Sequence, residues 1–139
     1  MAGYTNNYQL HQWEAGDDFL REDFNEDFAK IDGAIAMCGN CRIIRGSYWG
    51  TGTFGEKNPT GLTFDKLPLL VFVSGQASQF TAVWKSDYAV IANQVGSTYV
   101  MNINWSENAL CWYSYDANKQ LNINNALYHY VALVSTEEV

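Results

Sequence analysis

Residues 109–134 read ALCWYSYDANKQLNINNALYHYVALV, and this stretch decides the fold. Its two ends, Ala109 to Tyr115 and Ala126 to Val134, are rich in Tyr, Trp, Val and Leu, the residues that fit a pleated, half-buried surface. Between them DANKQ and NINN are turn chemistry, with amide side chains that bond their own backbone. The spacing predicts two strands around a hairpin-like turn. Working outward, the same period recurs. Cys41 to Trp49 alternates branched and aromatic residues, Leu67 to Val73 is a continuous apolar run, and Phe80 to Trp84 and Tyr99 to Trp105 are strand-like. Turn clusters punctuate them: GTGTFGEKNPTG, SGQAS, NQVGS and SEN. Strands at such intervals, with no helical pattern between them, predict a mainly β chain: an antiparallel β-sandwich or barrel-like domain.

Only the N-terminal part departs from this period. Leu20, Phe24, Phe28, Ile31 and Ile35 fall at spacings of 4, 4, 3 and 4. They form a stripe about 80° wide on a helix over residues 17–37, narrower than the face of an ordinary globular helix. Asp17 or Asp18 would serve as N-cap and Gly39 as C-cap, and the acidic residues crowd the end where the helix dipole favours them. About 21 residues would make a rod of ~31 Å. A narrow seam of this kind serves oligomerisation through partner helices; the same residues equally suit a helix lying on its own β domain. The chain therefore divides into an attachment and oligomerisation segment, 1–39, and a β-rich domain, 40–139.

Charge is placed as unevenly as pattern. Of a net −7, eight acids and two bases lie between Glu14 and Asp32, and the remaining seven acids and six bases nearly cancel. There is no basic stripe to neutralise phosphates, so nucleic acid is not expected as a partner, and an acidic membrane surface is disfavoured for the same reason. The opening MAGYTNNYQLHQWEAGDD has no basic and no apolar region of a signal peptide. Leu67 to Val73, interrupted by Pro68, is far short of the ~20 apolar residues of a membrane span. The expectation is synthesis in the cytoplasm and delivery by assembly into a particle.

Several motifs lack the context their chemistry needs. Cys38 and Cys41 have no second ligand pair for zinc, and the third cysteine, Cys111, stands apart; all three read as reduced structural thiols. Gly50 to Gly55 satisfies GxGxxG, but a dinucleotide site needs a helix starting there, and the glycines read as a hairpin. His11 and His129 have no neighbour at metal or triad spacing. Asp65, Asp87, Glu107 and Asp116 could supply paired carboxylates for glycoside hydrolysis only by converging in space. No catalytic residue, metal ligand or cofactor is assigned.

What remains is an aromatic and amide surface. With 15% aromatic against 17% charged residues, the chain builds surfaces from Tyr, Trp, Asn, Ser and Thr, which suit polar, uncharged ligands. Alternation puts Trp112 on one face and Tyr113 and Tyr115 on the other. Rings that stack on a sugar, with amides bonding its hydroxyls, would make Tyr113, Tyr115, Asn118, Gln120 and Asn122 a carbohydrate site. Packing, within the domain or between protomers, would use the same rings.

Two sets of residues carry a family resemblance. Tyr8, Leu10 and Trp13, then Asp23-Phe24-Asn25, then Lys30-Ile31-Asp32, resemble the N-terminal segment of tail-fibre and minor structural proteins from phages and prophages of Gram-positive gut bacteria. Gly46, Tyr48, Gly50 and Gly52, Trp112-Tyr113-Ser114, Gln120-Leu121-Asn122 and the closing Tyr128 and Tyr130 to Leu133 are similar to the β domain that follows such segments. The resemblance implies a homotrimer attached to other virion proteins by its N-terminal region, with a β tip that binds a host glycan or receptor. The usual fibres have a shaft between these parts. Here Arg42 follows Cys38 almost at once, which implies a compact tip or particle decoration. Two alternatives stand beside the receptor-binding one: a particle-borne polysaccharide depolymerase, and a structural cap without ligand.

Overall fold

The computed structural model describes residues 3–39 and 41–136. The chain divides into two compact units, Met1–Asn40 and Cys41–Val139. Among the described residues it is mainly β, with one N-terminal helix and one large antiparallel sheet.

In the first unit β1 (Gly3–Tyr4) pairs with β2 (His11–Gln12), and the helix α1 runs from Arg21 to Met37. The helix is shorter than its periodicity predicts at the N-terminal end. Leu20, in extended backbone, is the N-cap, and among the described residues no side chain caps the helix. Asp17 cannot do so, because its Oδ2 accepts the Glu14 N–H (2.9 Å) and closes a turn there. That backbone bond also holds the Asp17 carboxyl below its ordinary pKa. At the other end the helix stops one residue before the expected glycine, with Cys38 as C-cap and its N–H on the Ile35 carbonyl.

The stripe predicted from periodicity is exposed on this unit. Phe28 and Ile35 are 65% and 66% exposed, and Leu20, Phe24 and Ile31 are exposed as well. Phe24 is the partial exception, because Trp13 stacks on it at 4.8 Å and Phe19 at 5.9 Å.

Among its described residues the second unit holds eight strands: β3 (Cys41–Trp49), β4 (Thr60–Thr63), β5 (Pro68–Gly75), β6 (Ser78–Val83), β7 (Tyr88–Asn93), β8 (Thr98–Trp105), β9 (Ala109–Tyr113) and β10 (Leu127–Ser135). Their order in the sheet is β3-β10-β5-β6-β7-β8-β9-β4. The final strand thus inserts between β3 and β5, which ties the last strand of this unit to its first. Side-chain contacts show the sheet curling onto itself. Tyr48 on β3 meets Trp112 on β9, six places along, and Phe64 just after β4 meets Tyr130 on β10. The interior between the facing strands is filled by Val71, Val73, Phe80, Ile91, Met101, Ile103, Leu110, Trp112 and Tyr128.

Two expected hairpins are instead crossovers. β3 and β4 do not pair, so the glycine-rich stretch after Gly50 bridges the two edges of the sheet, and no helix begins in it. β9 pairs with β8 and β4 while β10 pairs with β3 and β5, so residues 114–126 also cross between strands that are not neighbours. The SGQAS turn does make a hairpin. Gln76 and Ala77 both take positive φ there (49° and 60°), as a two-residue type I′ turn requires.

Candidate functional site

The two crossovers are bound to each other, and that junction builds the candidate site. Gln120 bridges them with all four of its hydrogen-bonding positions. Its Nε2 donates to the Asn58 carbonyl (2.9 Å) and Thr60 Oγ1 (3.0 Å), and its Oε1 accepts from the Gly55 N–H (2.8 Å) and the Ser114 N–H (3.0 Å). Asn122 does the same two residues on, donating to the Thr53 carbonyl (2.8 Å) and Thr51 Oγ1 (2.9 Å) and accepting from the Thr51 N–H (3.0 Å). Gly52 and Gly50 add backbone bonds to Asn122 and Ala126. Gly50 has to be glycine, because a Cβ there would collide with the Ile123 carbonyl.

Beneath the junction the Tyr48 hydroxyl donates to the Leu121 carbonyl (2.8 Å), and burial pushes that phenol's pKa far up, so it stays a donor. Leu121 itself is fully buried with φ of 54°, a left-handed conformation that a branched residue adopts only when its surroundings impose it.

This bracing corrects the sequence reading of the site. Gln120 and Asn122 were expected at the binding surface; both are buried, and their amides are held chiefly by the loop over residues 51–60. They hold the turn rather than present themselves. Tyr113 ends β9 half-buried, one residue from the fully buried Trp112. Of the five expected ligand residues, Tyr115 and Asn118 are the exposed ones, and Tyr115 is 81% exposed.

The surroundings of Tyr115 and Asn118 carry little net charge. Lys119 lies with its Nζ 4.7 Å above the Tyr99 ring and 3.4 Å from Asp116 Oδ2, while its N–H bonds Asp116 Oδ1 at 2.8 Å. The exposed ring of Phe54 stands on the partner loop, one residue before the amide that Gln120 holds. Sequence reasoning missed Phe54 and Tyr99, because nothing in local spacing links residues 54, 99 and 115. The Gly55–Gln120 bond ties Phe54 to the turn, and Lys119, lying over the Tyr99 ring, ties Tyr99 to it.

Other candidates resolve differently. Asp65 pairs with Arg42 and Asp116 with Lys119, so two of the four carboxylates considered for hydrolysis are matched by a cation. Cys38 and Cys41 are exposed free thiols, and among the described residues no group of three or more His, Cys, Asp or Glu is placed to share a metal ion. Among the described residues no helix is long and apolar enough to cross a membrane.

His11 finds a partner that spacing could not reveal. Its Nδ1 is 2.9 Å from Asp27 Oδ1, its N–H donates to Asp27 Oδ2 (2.8 Å), and its ring lies between Tyr4 and Trp13. Burial alone would raise the Asp27 pKa; the His11 ring, the His11 N–H and Lys30 outweigh it and hold the carboxyl below its usual value. A depressed carboxylate stabilises above its unfolded pKa, about 3.9, and that contribution is lost as pH falls through the folded value. The hairpin should therefore loosen from the helix below about pH 4, read as faster hydrogen exchange at the His11 amide. Asp27→Asn should lose that acid step, and an identical pH profile in the variant would assign the clasp elsewhere.

Comparison with protein-family models, curated proteins and solved structures finds no match to this chain.

Proposed function

We propose that the chain is a virion structural protein, a compact tail-fibre or tip-like module that binds a neutral glycan on the host surface through the turn at Tyr115 and Asn118. One observation carries the reading: an almost fully exposed tyrosine and an exposed amide stand on a turn whose backbone is fixed from below by Gln120, Asn122 and Tyr48. A rigid scaffold that displays a variable loop is the usual arrangement for recognition. A ring face with an adjacent amide and little net charge suits a sugar better than an anionic polymer. In this reading the module acts by binding, without a cofactor, and reaches the particle through its N-terminal unit, where the stripe from Leu20 to Ile35 joins copies into a homotrimer. The N-terminal resemblance to phage structural proteins supports the attachment role. Three copies would turn a weak single-site contact into a firm one through effective concentration.

The test is binding of the whole protein to host cells and to a glycan array. Tyr115→Ala and Asn118→Ala should each weaken binding about tenfold or more, which is the ~1.4 kcal/mol expected of one lost contact. Thermal midpoint and oligomer mass should stay as in the parent. Variants that bind as well as the parent would move the site to another exposed aromatic, Trp49 first.

A further inference from the structure

A strand at the edge of a sheet leaves the N–H and C=O of every second residue without a ladder partner, and such an edge is a template for another strand. The large sheet ends on β3 and β4. Its β4 edge is short: four residues, one of them glycine, with the Thr60 hydroxyl taken by Gln120. The β3 edge is nine residues long, in unbroken register with β10, and contains neither proline nor bulge.

Two bonds at the ends of the ladder show which groups of β3 are free. Gly50 donates to the Ala126 carbonyl (2.8 Å), so by the alternation of an antiparallel pair Tyr48, Gly46 and Ile44 are the residues that bond β10. The bond from the Trp84 N–H to the Leu69 carbonyl (2.9 Å) gives the same parity from the other side. It directs the odd residues of β5 to β6 and the even ones to Leu133, Val131 and His129, which leaves the even residues of β10 for β3. The N–H and C=O of Ile43, Arg45 and Ser47 therefore point away from the sheet, and none is bonded within the described residues. The side chains here are open as well. Ile43 is 70% exposed and Arg45 and Ser47 are exposed, while Ile44 and Tyr48, on the other face, are half-buried against the core.

We propose that β3 binds an extended, acidic segment of another polypeptide as an added strand. The backbone selects the form of the occupant, because donors and acceptors at the strand repeat are answered by another extended backbone. Charge selects its sequence. β3 carries two arginines and no carboxylate; Arg42 is held by Asp65, whereas Arg45 has no ion pair among the described residues. A second copy of β3 fits poorly. In each two-fold register that pairs most of the strand with itself, Arg45 falls opposite or diagonal to the Arg45 of the other copy, and like charges so placed are destabilising. A carboxylate opposite Arg45, with an aliphatic side chain opposite Ile43, is complementary instead. The inference stands apart from the glycan site and from assembly through α1.

Hydrogen exchange and fluorescence anisotropy on the full chain test it. The probe is a labelled peptide as long as β3, alternating valine and threonine with one central glutamate. In the free chain the Ile43, Arg45 and Ser47 amides should exchange fast and those of Ile44 and Gly46 slowly, and the peptide should slow the first set. Lysine in place of the glutamate should weaken binding about tenfold, and Arg45→Glu should reverse that preference. Ser47→Pro separates binding from folding. Its N–H faces outward, so proline should spare the ladder with β10 and leave the thermal midpoint nearly unchanged while abolishing binding. The proposal is overturned if millimolar peptide does not bind, if Ser47→Pro binds it as well as the parent, or if the lysine peptide binds equally. Slow exchange at Ile43, Arg45 and Ser47 in the free chain overturns it too: at any concentration it would place a segment of the same chain on the edge, and only at high concentration a second copy.

Discussion

Trp112→Ala is expected to destabilise the β unit by about 3–5 kcal/mol, the range for emptying a buried aromatic site. The ring has no exposure and sits where the curled sheet closes. Phe80 meets it edge-on at 5.1 Å and Tyr48 at 5.9 Å, so one side chain on β9 joins β6 and β3. Its Nε1–H also donates to the Gln120 carbonyl at 2.8 Å. Alanine would leave a cavity between strands that cannot collapse without breaking pairing, and would strand a buried acceptor. Trp112→Phe separates the two costs. It keeps most of the ring and loses only the hydrogen bond, so it should cost about 1–3 kcal/mol. Urea unfolding of both variants checks the ordering. A loss below about 1 kcal/mol for alanine would mean that Phe80 and Tyr48 repack into the space, and the ring would not be the keystone its contacts imply.

Alternation set Trp112 on the face opposite Tyr113 and Tyr115 without telling which face is core, and the structure buries Trp112; most strands around it were legible. The strands that escaped did so for physical reasons. β7, Tyr88 to Asn93, buries Ala89 and Ile91 but presents Tyr88 and Val90 outward, so its two faces do not differ in polarity and no alternation marks it. β4, Thr60 to Thr63, has a glycine and a single buried leucine and reads as turn chemistry. Pro68 was read as an interruption, yet it begins β5, where its ring is buried and no N–H is required of it. The helix stripe was visible residue by residue, but not its N-terminal boundary, because the bond from Glu14 to Asp17 is a competition between two local structures that periodicity does not weigh.

The site was half legible. Exposed Tyr115 and Asn118 stand where turn chemistry put them. Gln120 and Asn122 carry the same polar signature, and their fate depends on a loop more than 60 residues away. The faint signal was that they flank Leu121 and precede Ile123, apolar residues that a solvated loop has little use for.

Gln120→Ala should therefore act on stability, where a ligand residue would act on binding alone. Four partners lose their bond at once: the Gly55 and Ser114 N–H groups, the Asn58 carbonyl and the Thr60 hydroxyl. The Ser114 bond is wholly buried, so its N–H bears the full cost of an unmade bond, about 1–3 kcal/mol. The others regain water in part as the loop lifts. A total of about 2–5 kcal/mol follows, with Gln120→Leu no better, since it restores volume but no partner. Leu121 adds a second consequence, because its left-handed backbone persists only while its neighbours enforce it. Once Gln120 is gone the turn relaxes, and Tyr115 is no longer held above it. Hydrogen exchange should show the Gly55 and Ser114 amides opening well before the β-ladder amides of β5 and β10. The glycan binding proposed for Tyr115 should fall in the same variant even at temperatures where the sheet remains folded. Protected Gly55 and Ser114 amides in Gln120→Ala would mean that the loops hold one another through Asn122 and the glycine backbone, and the brace would have to be reassigned to those bonds.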